Sequence, residues 1–262
     1  MKHSVSHLAT YLAGTLSVVA FAVTVMDAPF WSAMLAWLAA YGAVAATPES
    51  RRRHLTLVAT MLLVLGISPL GTSTEINPGA IMTLGMLVAV GLPFLVQKLS
   101  KVDADLLHLR LRWGWPTKRE WGYIVFAACL TSPVIVLYFL TSGAGHGWHM
   151  ESFADTLVSF AAIMIIGAWE EVFFIAAIFG ILRKYLPYRV ANILQASAFT
   201  MFLYAFGFGG WVLIFVLWYT YYQGFVYYKT GNLLVTLIIH AIVDLCVFLA
   251  ILFSIQPSWL FG

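Results

Sequence analysis

The chain has 262 residues, of which 62% are hydrophobic and only 10% are charged. A soluble domain carries about 25% charged residues, and no water-soluble fold hides this much apolar surface, so soluble globular, disordered and collagen-like proteins are excluded. The formal net charge of +3 is small. Long unbroken apolar runs, rather than short alternating segments, predict an all-α, polytopic bundle of membrane helices instead of a β-barrel.

The apolar runs predict about nine transmembrane helices. They lie near residues 8–26, 30–46, 55–71, 79–97, 121–141, 156–182, 191–208, 210–228 and 232–254. All 14 lysines and arginines then fall at the N-terminus or in loops on one side of the membrane. By the positive-inside rule, the N-terminus is cytoplasmic and the C-terminus lies outside a bacterial-type inner or plasma membrane. A miscounted helix would scatter the basic residues over both sides.

The predicted helices divide the chain into three parts. Residues 1–100 hold four N-terminal transmembrane helices, and residues 121–262 hold the remaining five. Between them, residues 101–120 form the longest cytoplasmic segment, in which charged residues alternate with leucines. This pattern is typical of an amphipathic segment on an anionic leaflet, and it also fits a solvated connector.

Four ionisable residues fall inside the predicted helices: Glu170, Glu171, His240 and Asp244. At about 1.5 Å per residue, Glu170 lies roughly 20 Å from the basic loop that follows it, and His240 and Asp244 lie roughly 16 and 22 Å from the loop before them. All four therefore belong near the bilayer midplane, where ionisable groups are costly and mark functional sites. His240 and Asp244, at i and i+4, share one helix face.

These four residues alone leave three alternatives open. Three carboxyls and one imidazole cannot all be charged in so apolar a place. They fit a polar cluster that fixes helix packing, a proton-coupled transporter, or a catalytic site. Glu170 and Glu171 are adjacent and point about 100° apart on an α-helix, so we expect only one of them to face a given neighbour.

The order of these residues resembles the CPBP family, the CAAX-type intramembrane endopeptidases that include bacteriocin self-immunity proteins. Glu170-Glu171 lies midway along a helix, and two helices later a Tyr- and Gly-rich stretch leads to His240-x-x-x-Asp244. The run Lys-Thr-Gly-Asn-Leu before His240 is similar to the family pattern, as is Leu109-Arg-Leu-Arg-Trp-Gly-Trp before a helix. The resemblance covers roughly residues 105–250 and implies a CAAX-protease-like core in the last five helices.

The resemblance also implies a chemistry. In active members the first Glu and a second-motif His activate a water molecule, and the third-motif His with its Asn or Asp partner stabilises the oxyanion. Applied to this sequence, the resemblance implies that the catalytic residues are Glu170 as base, Glu171 as its structural partner, and His240 with Asp244 at the carbonyl oxygen. The implied substrates are prenylated or other membrane-anchored peptides, and no metal or other cofactor is expected.

The sequence departs from the family motifs at two positions. The first-motif Arg is replaced by Ile175, and the second-motif His, four residues after Phe199, is replaced by Leu203. The nearby Tyr204 is a poor base at neutral pH. The sequence therefore leaves three hypotheses of function. The first is an endopeptidase with a reduced site, the second is a catalytically inactive scaffold, assembly or immunity subunit, and the third is a proton-linked transporter.

The expected partners follow from the membrane location. They are membrane lipid and a membrane-anchored peptide or partner transmembrane helix, within a larger membrane complex in the scaffold case. No nucleic acid partner is expected.

Overall fold

The computed structural model describes residues 2–68, 78–100, 109–142 and 152–255, and in these ranges it is helical with no strand. The predicted all-helical bundle is confirmed. Within the described ranges nine helices follow one another: α1 (Lys2–Val25), α2 (Phe30–Ala45), α3 (Glu49–Ile67), α4 (Pro78–Ser100), α5 (Lys118–Ser142), α6 (Phe153–Leu182), α7 (Tyr188–Ala205), α8 (Val212–Thr230) and α9 (Leu233–Ile255).

Four of the described helices are long and apolar enough to cross a bilayer. They are α1 from His7, α5, α6, and α9 as far as Ser254. Two shorter apolar helices, α2 and the Leu84–Val96 part of α4, accompany them. The protein is therefore an integral membrane protein. The count of nine crossings and the orientation of the termini stay predictions.

Local sequence signals explain where several helices begin. Proline occupies the position directly before α2, α3 and α7, where its fixed φ suits a helix start. At the start of α6, Ser152 and Asp155 form a reciprocal capping box. Helix α3 begins at Glu49, six residues before the predicted start, so the arginines at 51–53 lie in its first turns and not in a loop.

The described residues form two compact units, the first of which comprises residues up to 108 and 172–224. In this unit α1 packs against α2, α3 and α7, and α3 also packs against α4. The interior is apolar, with Phe21, Leu62 and Phe202 fully buried. Gly14 of α1 faces the side chains of Leu194 and Leu186 and so permits close helix packing.

The second unit comprises residues 109–171 and 225–262. Here α9 packs against α5 and against the first part of α6. The rings of Phe160 on α6 and Phe248 on α9 meet edge to face at 5.1 Å, and the Ser132 hydroxyl lies 3.1 Å from the Cys246 sulfur. Residues 101–108 of the predicted interfacial segment lie outside the described residues, and the chain is not helical from 109 to 117.

Candidate active site

The helix that carries Glu170 and Glu171 changes its winding between them. Helix α6 is α-helical from Phe153 to Glu170, and from Glu171 to Phe179 it is a π-helix. A π turn closes i→i+5 hydrogen bonds, so it is wider than an α turn, and such turns recur at functional sites. The change of winding begins at the second glutamate.

His240 on α9 brings the four predicted site residues together. Its Nδ1 lies 2.8 Å from Oε1 of Glu171, and its Nε2 lies 3.1 Å from Oε2 of Glu170. The same Nε2 is 3.6 Å from Oδ1 of Asp244, one turn further along α9. We refer to these four residues as the carboxylate–histidine cluster.

The expectation that only one of the two glutamates faces a given neighbour is wrong. The two nitrogens of an imidazole point away from each other, so one ring can meet a carboxylate on each side. Glu170 and Glu171 therefore both reach His240, and they do so from consecutive positions of one helix.

Burial makes charged forms of the cluster residues energetically costly. Glu171 is fully buried, and Glu170 and His240 keep only 4% and 5% of their surface exposed. Asp244 is the most accessible member, with 13% of its side chain exposed. Buried charges are stable only when paired, so the imidazole and the surrounding carboxyls must share protons and charge as one group.

Gly167 allows Asp244 and His240 to approach α6, and sequence reasoning missed it. An ideal Cβ at this position would lie 1.9 Å from Oδ2 of Asp244 and 3.0 Å from Cδ2 of His240. Any larger residue would therefore occupy the space of the Asp244 carboxylate. Its spacing from Glu170 could have indicated this role, because Gly167 precedes Glu170 by three residues and so lies one turn away on a similar helix face.

The cluster does not have the arrangement of a metal centre. A histidine binds a metal through a free ring lone pair, and both nitrogens of His240 already lie at hydrogen-bond distance from carboxylate oxygens. In the described part of the chain, no group of three or more His, Cys, Asp and Glu side chains is arranged to hold a metal ion. The arrangement is suited to moving a proton between a carboxylate and an imidazole.

The two positions that depart from the family motifs are apolar. Ile175 is fully buried within the π-helical part of α6, and Leu203 is half-buried on α7. Phe199, which begins the second motif, is fully buried and stacks face to face on Phe174 at 4.5 Å. Tyr204, the polar residue nearest to Leu203 in sequence, is 37% exposed. None of these positions supplies the missing histidine or arginine.

Asn232 fixes the start of α9 and thereby the helix that carries His240. Its Oδ1 accepts hydrogen bonds from the backbone N–H of Leu234 and from that of Arg112, at 3.2 and 2.9 Å. Its Nδ2 donates to the Arg112 carbonyl at 3.3 Å, and the Leu233 N–H donates to the Arg110 carbonyl at 2.8 Å. One side chain therefore caps α9 and holds the segment before α5 against it.

A second buried acid, Glu120, supports the same segment. It lies in the first turn of α5 and is 3% exposed, although the predicted helix began after it. Its carboxylate accepts from the Arg112 guanidinium at 2.5 Å and from the Thr117 N–H at 2.7 Å. The Thr-x-x-Glu spacing is a capping-box signature and was readable from the sequence.

Comparison with known families agrees with this geometry. Residues 152–246 match the family described as Type II CAAX prenyl endopeptidase Rce1-like. The matched segment contains all four members of the carboxylate–histidine cluster, and the match confirms the resemblance to the CPBP family. Neither curated proteins nor solved structures give a further match.

Proposed function

We propose that the protein hydrolyses membrane-anchored peptides at the carboxylate–histidine cluster, because residues 152–246 match the Rce1-like family of CAAX-type endopeptidases. The observation that carries this proposal is the convergence of three carboxylates on the two nitrogens of His240 inside an apolar helical bundle. Ionisable residues at such a place are costly to bury, and they are kept where a reaction needs them.

In this proposal Glu170 is the general base. It removes a proton from a water molecule, and the hydroxide adds to the carbon of the scissile carbonyl. In this proposal His240 is an imidazolium that carries a proton on each ring nitrogen, one of them on Nδ1 towards Glu171. Its Nε2–H donates to the oxygen on which negative charge develops, and Glu170 passes the proton taken from water to the departing amine. The 3.1 Å distance between Oε2 of Glu170 and Nε2 of His240 supports these roles, because the base and the oxyanion donor must act on one small group of atoms.

Glu171 is the residue that orients His240. The family Arg that would follow Glu171 by four residues is Ile175 here, and the Glu171 carboxylate instead accepts from Nδ1 of His240 at 2.8 Å. A carboxylate on one ring nitrogen fixes the orientation of the imidazole and the proton on that nitrogen. Nε2 is then directed towards Glu170 and Asp244, where the proposed chemistry takes place.

Lipid-anchored or membrane-embedded peptides are the substrates that fit best. The catalytic residues lie well inside α6 and α9, two helices long and apolar enough to cross a bilayer, so a substrate must reach them from the membrane. The basic residues predict that the N-terminus is cytoplasmic. A peptide segment held near the membrane by its own lipid or helix is therefore the expected substrate class.

The test compares wild type with Glu170→Gln, which keeps the size of the side chain and removes the base. Both are expressed at equal levels in cells, and the C-termini of membrane proteins are mapped by mass spectrometry. We expect a set of C-termini that is present with wild type and reduced by about 10²–10⁴-fold with Glu170→Gln. Asp27→Asn, which removes an exposed carboxylate far from the family segment in sequence, is the matched control and keeps the cleavage. Identical termini with all three proteins would contradict the proposal.

A catalytically inactive scaffold is the second candidate function. The observation that favours it is the apolar second motif, in which Leu203 replaces the histidine and Phe199 is packed on Phe174. In that case the same membrane proteins co-purify with wild type and with Glu170→Gln, and no terminus changes. Cleavage that arises only in Leu203→His would identify a protease fold that has lost its chemistry.

A further inference from the structure

A groove between α3 and α4 in the first unit has no part in the proposed chemistry. Its volume is about 630 Å³, within the roughly 300–1,000 Å³ range of small-molecule sites. Helix α3 contributes one continuous face, and α4 contributes three apolar residues. Its lining includes Glu49, Arg52 and Arg53 at one end and Leu57, Leu92 and Val96 beyond them.

One end of this groove is basic. Arg52 and Arg53 lie in the first turns of α3 and are exposed, and Arg52 uses one of its donors on the Thr47 carbonyl at 3.0 Å. A guanidinium has five N–H donors, so four remain for a ligand. Glu49 is the acidic residue at this end, and Lys98 lies in the last turn of α4 beside the lining residue Leu99. Two arginines against one glutamate leave the lining with a net positive charge.

Beyond the arginines the lining is mostly apolar, with Thr56 and Thr60 as its polar members. Leu57 lines it from α3, and Leu92 and Val96 line it from α4. The lining on α3 runs from Glu49 to Thr60, which corresponds to about 16 Å at 1.5 Å per residue. At the basic end, the side chain of Leu99 is 72% exposed, so the groove is open to the surroundings of the helix there.

We propose that this groove binds one anionic membrane lipid, with the phosphate of the headgroup at Arg52 and Arg53 and an acyl chain along Leu57, Val96 and Leu92. The arginine fork matches phosphate oxygens, and the apolar wall matches a hydrocarbon chain. Basic pockets between membrane helices are suited to anionic headgroups, and the positive-inside rule puts this end of α3 at the cytoplasmic leaflet. A zwitterionic lipid lacks the net charge that two arginines favour.

The experiment measures lipid binding without reference to peptidase activity. The purified full-length protein is titrated with phosphatidylglycerol or phosphatidylcholine of identical acyl chains, and bound lipid is counted by native mass spectrometry. We expect Arg52→Gln with Arg53→Gln to weaken phosphatidylglycerol binding by roughly 10- to 30-fold, since each cation near an anionic headgroup contributes about 1 kcal/mol. Lys184→Gln with Arg189→Gln removes the same charge elsewhere and keeps the affinity.

Two further variants separate the headgroup from the chain. Glu49→Gln removes the acidic side chain found among the described lining residues and raises the affinity for phosphatidylglycerol. Val96→Trp fills the apolar part and lowers the binding of both lipids. Thermal unfolding without added lipid checks that each variant is folded. Equal affinity for the two lipids, an unchanged affinity in the double arginine variant, or displacement of the lipid by inorganic phosphate alone would each overturn the proposal.

Discussion

Gly167→Ala is the most informative single substitution in the candidate site. On an unhindered helix, alanine is favoured over glycine by about 1 kcal/mol. At Gly167 the added Cβ would lie 1.9 Å from Oδ2 of Asp244, where ordinary contacts begin at 3.4 Å. The carboxylate must therefore move by about 1.5 Å, and His240, whose Cδ2 is 3.0 Å from the same Cβ, limits where it can go.

The size of the effect follows from these distances. Forcing one extra carbon into a packed interior costs about 1–3 kcal/mol, against about 1 kcal/mol gained in helix propensity. We expect Gly167→Ala to lower the free energy of unfolding by up to about 2 kcal/mol, the packing cost less the gain in helix propensity. Since the cost arises at Asp244, Asp244→Ala in the same chain should remove it, and the double-mutant coupling should reach about 1–3 kcal/mol.

The assay is thermal and denaturant unfolding of purified protein in one detergent. Gly122→Ala on α5 is the matched control, because a Cβ there meets nothing within 4 Å. We expect this control to be neutral or stabilising by up to about 1 kcal/mol. The reasoning is refuted if Gly167→Ala behaves like Gly122→Ala, or if its effect adds independently to that of Asp244→Ala.

Three further substitutions test the contacts around the site by unfolding measurements. Glu171→Leu leaves Nδ1 of His240 without its carboxylate and should lower the free energy of unfolding by about 1–3 kcal/mol. Glu171→Gln keeps an acceptor oxygen and should lower it less. If the two variants are equally stable, this contact does not hold the ring. Asn232→Ala removes the cap of α9 together with both bonds to the Arg112 backbone, and it should lower the free energy of unfolding by about 1–2 kcal/mol. Asn232→Asp keeps the capping oxygen, so we expect slower proteolysis of the segment before α5 in Asn232→Asp than in Asn232→Ala. Glu120→Leu removes the acceptor of the Thr117 N–H and hydroxyl, whereas the largely exposed Arg112 guanidinium can return to water. It should cost about 1–2 kcal/mol, and a wild-type melting temperature would contradict this.

Hydropathy located the helices because the bilayer imposes a simple requirement on them. A membrane helix needs about 20 consecutive apolar residues. An apolar run predicted each of the nine described helices, and four of these helices are long and apolar enough to cross a bilayer. The exact ends of the helices were harder to predict from the sequence. The apolar run of α3 begins at Leu55, but the helix begins at Glu49, because Pro48 favours a helix start and arginine is a good helix former.

The members of the candidate site could be predicted, but their contacts could not. The His-x-x-x-Asp spacing puts His240 and Asp244 on one helix face, and the depth estimate puts Glu170 and Glu171 at the same level. Which carboxylate meets which nitrogen depends on how α6 packs on α9, and no local pattern records that. The π-helical stretch Glu171–Phe179 contains neither proline nor glycine, so nothing in it marked the change of winding.

The roles of two supporting residues could have been predicted from the sequence. Thr117-x-x-Glu120 carries the capping-box spacing, but a hydropathy window began the helix after Glu120 and so excluded a buried acid from consideration. Gly167 carried a weaker signal, since a glycine in the middle of an apolar helix is unfavourable unless something packs close to it. In both cases a local pattern mattered more than the average hydropathy of the segment.

The most direct measurement of the central proposal, hydrolysis by water that Glu170 activates, uses isotopically labelled water. Membranes that contain wild type or Glu170→Gln are incubated in ¹⁸O-water, and new C-termini are read by mass spectrometry. We expect wild type to produce peptides whose new terminal carboxyl carries an ¹⁸O atom, and Glu170→Gln to produce almost none. If labelled termini are absent with wild type, or equally abundant with both proteins, the carboxylate–histidine cluster does not catalyse hydrolysis through Glu170.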